Sequence, residues 1–180
     1  MHAKDALSDT RAWLEKAVIG LNLCPFAKAV HVKGQIRWVL SEANAPAMLL
    51  TLLVQELQQL AAADPAQVDT TLIVHPHVLQ DFHDFNHFLG VAERALAELG
   101  LEGVLQIASF HPQFQFADAA ADDIGNATNR SPHPTLHLLR EHSIERALQA
   151  FPEAEAIYER NIETLQRLGA EGWSRLLAAD

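Results

Sequence analysis

HPQFQFADAAADDIGNATNRSPHPTLHLLRE, residues His111–Glu141, decides how this chain can fold. Its first half has no sustained apolar period, yet it carries Asp118, Asp122, Asp123, Asn126, Asn129 and Arg130. A connection of roughly twenty residues without a period is long for a compact domain, and such loops are usually functional or disordered. Phe110, Phe114 and Phe116 alternate at its start. Low-complexity spacers rarely carry aromatic residues, so an ordered functional loop is expected. The second half predicts a helix beginning at Pro134. At about 100° per residue, Leu136, Leu139, Ile144, Ala147 and Leu148 share one apolar arc, with Leu138, His142, Glu145, Arg146 and Gln149 opposite. His137, Arg140 and Glu141 fall inside or at the edge of that arc. Unpaired polar groups facing inward cost several kcal/mol, so these three are expected to be paired. One reading is a structural Arg–Glu–His network tying the loop down. The other is an anion site, because a helix N-terminus with inward Arg and His suits negative charge.

Outward from this stretch, the flanking elements follow a βαβαβ order. Ser8 or Asp9 can cap a first helix through Trp13, Leu14, Ala17 and Val18, with Gly20 as its stop. Ala29–Val32 and Gln35–Leu40 flank Lys33-Gly34 and predict a short hairpin. A helix capped by Asn44 runs to about Ala63. Asp69 to Val74 reads as a strand buried on both faces. A second helix covers Leu79 to Leu99, Val104 to Phe110 is the next strand, and Pro152 opens a last helix. The expected fold is a single α/β domain over residues 1–180, with residues 1–7 a mobile tail. Its sheet has three or four strands, mainly parallel or mixed, with flanking N- and C-terminal helices. With the three strands parallel, Ser41, Glu42, His75, His77 and His111 emerge at one sheet edge, where ligands of open α/β sheets bind.

Composition narrows the function. The 180 residues carry a net charge of −10 with histidines neutral, which argues against nucleic-acid or anionic-membrane partners, since both need a basic surface. The single cysteine precludes an internal disulfide and fits a reducing compartment. The N-terminal stretch has no signal-like apolar region and no run approaches a membrane span, so a cytoplasmic protein is expected. Walker, dinucleotide-binding and G-x-S-x-G patterns are absent from the sequence. Ten histidines raise a metal hypothesis. His83 and His87 stand four apart, but opposite the helix's apolar side, and read as solvated. His75, His77, His111 and His137 could converge with a loop aspartate on a single metal ion, although no HExxH or paired-cysteine spacing supports it. Cys24, beside Pro25, reads either as a buried hydrophobe or as a nucleophile paired with a histidine.

The residues point to a small-molecule enzyme, a hydrolase or group transferase acting on an anionic substrate. His111 or His137 would transfer protons and Asp122 or Asp123 would orient a histidine. Asn126, Asn129, Arg130, Ser131, Arg140, Glu141 and His75 would bind the ligand, the arginines through their planar forks of donors. The competing class is a ligand-sensing or partner-binding protein whose polar cluster is structural.

Three segments carry a family resemblance: LNLCPFA (Leu21–Ala27), FHPQFQFAD (Phe110–Asp118) and TNRSPHPTLHLLRE (Thr128–Glu141). They closely resemble the bacterial family catalogued as domain of unknown function 1415, from Trp13 to about Gly169. The resemblance implies a bacterial cytosolic protein and no particular activity.

Overall fold

β-Branched and apolar residues at Ile36–Leu40 (β1), Thr70–Val74 (β2), Leu105–Phe110 (β3) and Thr135–Arg140 (β4) form one four-stranded sheet, ordered β1-β2-β4-β3. The computed structural model describes residues 3–178 except 152, 154 and 155. β1 and β2 are parallel, while β4 lies antiparallel between β2 and β3. The sheet is therefore mixed, and β1, β2 and β3 still run in one direction, as the sequence pattern implied.

β4 corrects the sequence reading. Residues 135–140 were expected to begin a helix, and they form an inner strand of the sheet, between β2 and β3. Leu136 and Leu138 are fully buried on one face, while Thr135, His137 and Leu139 point to the other. A short apolar run buried on both sides lacks the alternation that marks a half-exposed strand, and periodicity alone does not separate it from a helix. The helical period that joined Leu136 to Leu148 spliced two elements. The amphipathic helix proper, α5, starts at Glu141 and runs to Ala150.

Helices cover both faces. Pro46–Ala62 (α3) and Phe82–Glu98 (α4) lay Leu49, Leu53, Leu57, Phe85, Ala92 and Leu96 against Ile73, Leu105, Leu136 and Leu138. Asp81 caps α4 by accepting from the N–H groups of His83 and Asp84, and Pro46 sits at the start of α3 where Asn44 was the expected cap. On the opposite face, Ala3–Trp13 (α1) continues into a π-helical turn at Leu14–Ile19. Trp13, Leu14, Ala17 and Val18 pack there with Trp38, Phe110 and Trp173. Helix α1 thus begins earlier than the expected cap at Ser8 or Asp9, and Ala6 within the supposed tail is buried. Ala27–Val32 (α2) is helical where a strand of a hairpin was expected. The turn still forms, with Gly34 at φ +66. Ala156–Ala178 (α6) kinks at Gly169 and packs Leu165 on Leu23 and Ala127. The expected helix start at Pro152 lies outside the described residues. Among the described residues, no helix is long and apolar enough to cross a membrane.

Arg140 closes the amino-end edge of this sheet. One terminal nitrogen shares its two hydrogens among the carbonyls of Leu60, Ala63 and Val68, at 2.8, 3.0 and 2.9 Å, at and beyond the end of α3, where helical donors run out; Leu60 O also accepts from the Ala63 N–H at 3.2 Å. Its Nε lies 4.0 Å from Asp69 Oδ1, and Asp69 accepts from Ser143 Oγ at 2.6 Å. Arg140→Ala should cost on the order of 3 kcal/mol, because it removes the cation beside Asp69 and takes the side-chain donor from the Ala63 and Val68 carbonyls. Urea unfolding measures this, and a loss below about 1 kcal/mol contradicts the clasp.

Candidate functional site

The shared orientation of β1, β2 and β3 brings Ser41, His75 and His111 to one edge, as expected, but the histidines there are closed in. Both are fully buried and pack on Phe85, with ring centroids at 5.7 Å for His75 and 5.0 Å for His111. His111 Nε2 donates to the Leu79 carbonyl at 3.1 Å, while Nδ1 accepts from the Gln113 N–H at 3.0 Å. That is a neutral ring with both nitrogens used. His75 Nδ1 donates to Val78 O at 3.1 Å, and its buried Nε2 has no partner. Burial holds His75 down to about 4 and also lowers His111. His77 is exposed.

The polar residues of the long loop serve the loop itself. Asn126 accepts from the Phe116 N–H and donates to Ala120 O. Arg130 donates from Nε to Phe114 O at 3.0 Å and from a terminal nitrogen to Ala121 O at 2.7 Å. Asn129 donates to Ser109 O. Asp123 caps the 3₁₀ turn Ile124–Asn129 through the Gly125 N–H, and Asp122 is exposed beside it. Ser131 Oγ donates to His133 O, and His133 Nε2 meets Asp9 Oδ2 at 3.0 Å, pinning the loop to α1. These bonds satisfy backbone groups that an irregular segment would otherwise bury unpaired.

β4 separates the three residues expected to point inward together. His137 faces the α1 side, bonded to Thr70 Oγ1, whereas Arg140 faces the α3 side. Glu141 opens α5, with its N–H on Val104 O. His111, His137, Asp122 and Asp123 therefore lie in three different surroundings, and His75, His77, His111 and His137 do not converge. Among the described residues, potential metal ligands gather as a trio at Asp81, His83 and Asp84, all exposed. Its Asp81 is already the α4 cap. His83 and His87 are exposed, as their position opposite the helix's apolar side suggested.

A ligand-sized opening lies elsewhere, near the amino ends of β1 and β2. A cleft of about 710 Å³ opens between α2 and α5 and the α3–β2 connection. Phe26 and Phe151 meet edge to face at 5.4 Å in its wall. Lys33, Asp64, Asp69, Ser143 and Arg146 supply its charged and hydroxyl groups. Asp64 caps its own turn through the Ala66 N–H, and Asp69 is held by Ser143 with Arg140 behind it. Among the described residues, neither Lys33 nor Arg146 has a carboxylate within 4.0 Å. Sequence reasoning missed this place because its walls come from three distant segments. Arg146 read as a solvated helix position, and Lys33 as a turn residue.

The profile described as protein of unknown function (DUF1415) matches residues 5–175. The chain belongs to the DUF1415 family. No curated protein and no solved structure matches it. In this DUF1415 chain the LNLCPFA segment borders the cleft through Pro25 and Phe26, and a smaller cavity on the sheet's α1 face through Cys24 and Ala27. Cys24 is partly buried, and burial pushes its thiol up despite N–H groups of Phe26 and Ala27 that act in the opposite sense. It is therefore held as a thiol, the less nucleophilic form.

The buried histidines give this DUF1415 protein an acid-labile core. His75 and His137 are both held near 4 by burial, against 6.5 for a free ring. Between these values the unfolded chain binds protons that the folded chain refuses. Their contribution is complete above about pH 6.5 and is lost as pH falls toward 4. At 1.36 kcal/mol per pKa unit, each is worth at most roughly 3 kcal/mol. Urea midpoints at pH 7.5, 6 and 5 should fall progressively, and His137→Leu should flatten the trend. A midpoint constant over that range contradicts the assignment.

Proposed function

We propose that this protein binds a small anionic molecule with an apolar portion in the cleft between α2 and α5. The observation that carries the reading is the pairing state of the cleft's charges. The acidic side chains are engaged by local groups, while the two cations, Lys33 and Arg146, are left without a carboxylate among the described residues. In a chain of net charge −10, a ligand-sized opening with free cations is a local exception that favours anions. The volume of about 710 Å³ suits a small organic acid or phosphate ester. Phe26 and Phe151 would cover the apolar part, and Lys33 and Arg146 would take the acidic group, Arg146 through two parallel N–H donors.

Binding is favoured over turnover. Arg130 and Ser131, expected to hold the anion, already bond within their own loop. The acid–base groups lining the cleft are Lys33, Asp64, Asp69 and Arg146, and the Asp69 carboxylate is anchored by Ser143. That supports the ligand-sensing alternative over the hydrolase or transferase.

Titration calorimetry with phosphate, succinate and benzoate tests the proposal. At least one should bind, with affinity falling as salt rises. Arg146→Gln should weaken it roughly five-fold, since a partly exposed ion pair is worth about 1 kcal/mol. Arg130→Gln should leave affinity unchanged. The reverse pattern returns the site to the long loop, and no binding by any of the three removes the anion reading.

A further inference from the structure

On the α1 face of the sheet, under the π-helical turn, lies a second and smaller cavity of about 70 Å³. Its walls include Trp13, Leu72, Phe110, Cys24, Ala27 and His137. Water occupies about 30 Å³ in the liquid, so this space holds about two waters or one molecule of a few heavy atoms.

Hydrogen bonds fix the tautomer of His137. Thr70 Oγ1 spends its only proton on the Leu138 carbonyl, so toward His137 it accepts, and the ring carries its hydrogen on Nε2. Nδ1 is then a lone-pair acceptor, and it has no protein partner among the described residues. It is not sealed in the way the unpartnered Nε2 of His75 is. His137 is partly accessible and borders the cavity, so a water-sized molecule reaches Nδ1. Trp13, another wall, is 2% exposed, and its unpartnered indole N–H is sealed as His75 Nε2 is, so it offers the cavity no donor.

These features select a ligand class. Among the described residues, no Lys, Arg, Asp or Glu lines the cavity, and burial keeps His137 uncharged, so an anion or cation would lose its hydration without a counter-charge. Paired waters fit poorly, because each needs two to four polar partners and the hydroxyl of Thr70 is already engaged in both directions. An apolar core residue at position 137 would avoid an idle acceptor altogether.

We propose that this cavity is a second binding site, separate from the cleft, for one small uncharged molecule. The molecule donates a hydrogen bond to His137 Nδ1 and buries its apolar remainder against Trp13, Leu72 and Phe110.

Xenon and ethanol serve as probes, with ¹⁵N-histidine spectra as the readout. Xenon needs only volume and should bind wild-type protein saturably. Ethanol should also saturate and should move the His137 Nδ1 resonance toward its hydrogen-bonded position, with the Nε2 signal little changed. Ala27→Leu, which fills the space, should abolish both effects. His137→Leu should keep xenon binding and lose that of ethanol. If either variant fails to fold, the wild-type titrations alone decide. Failure of xenon to bind shows that the cavity is not open to guests and overturns the proposal. Xenon binding without any Nδ1 response to ethanol overturns the ligand class, as does an ethanol response that Ala27→Leu leaves intact.

Discussion

A strand placed between two others must have its backbone groups taken up on both sides, and β4 imposes that condition on the molecule. Its register gives Leu72 and Ala108 to His137 from either side. Entering that slot antiparallel, the chain must leave β3 and turn back to the same sheet edge. Residues 111–134 make this journey without regular strands. Their Asn, Asp and Arg side chains supply the bonds that a sheet or helix would have supplied. The composition that makes the loop look like a site is thus also what an irregular buried return requires. At the far end of β4, Arg140 performs the corresponding service for the exit of α3.

The interior so formed is built to stay neutral. His75 and His111 follow the ends of β2 and β3 and His137 lies within β4, and all three are lowered by burial. Their rings act as shaped polar fillers: each anchors to a carbonyl or hydroxyl through one nitrogen. Charge is kept where partners exist. The Arg37–Glu56 pair joins β1 to α3 through two bonds, at 2.8 and 3.1 Å, and so compensates the carboxylate that α3 buries.

Much of the architecture was legible. β2 and β3 announced themselves by β-branched runs, α3 and α4 by long apolar stripes, and the common direction of β1, β2 and β3 followed from their alternation with helices. The failures share a cause. Residues 135–140 and 29–32 are short segments whose state is set by neighbours rather than by their own period: burial on two faces made the first a strand, and the second became part of the six-residue helix α2 with Val32 left exposed. That Arg140 and a buried histidine would be paired was readable from the cost of burying them. The partners were not, because Leu60, Ala63 and Val68 act through backbone carbonyls, which leave no signature in a sequence. The candidate site was the least legible part. Lys33 and Arg146 become significant only when the fold sets α2 against α5.

The same partition bounds both openings. Val30 of α2 lines both the cleft and the cavity on the sheet's α1 face, while Pro25 lines both the cleft and a third opening beside Arg160 and Asn161. The segment from Leu21 to Val30 is irregular before α2: Asn161 holds Leu23 O at 2.8 Å, and Asn22 takes a left-handed turn at φ 54. A six-residue helix contributes little stability of its own, so its position depends on what packs against it. Filling either opening adds contacts to a shared wall. A ligand in the cleft and a guest in the cavity therefore act on one element, and if α2 shifts, the free energies of the two sites are coupled reciprocally.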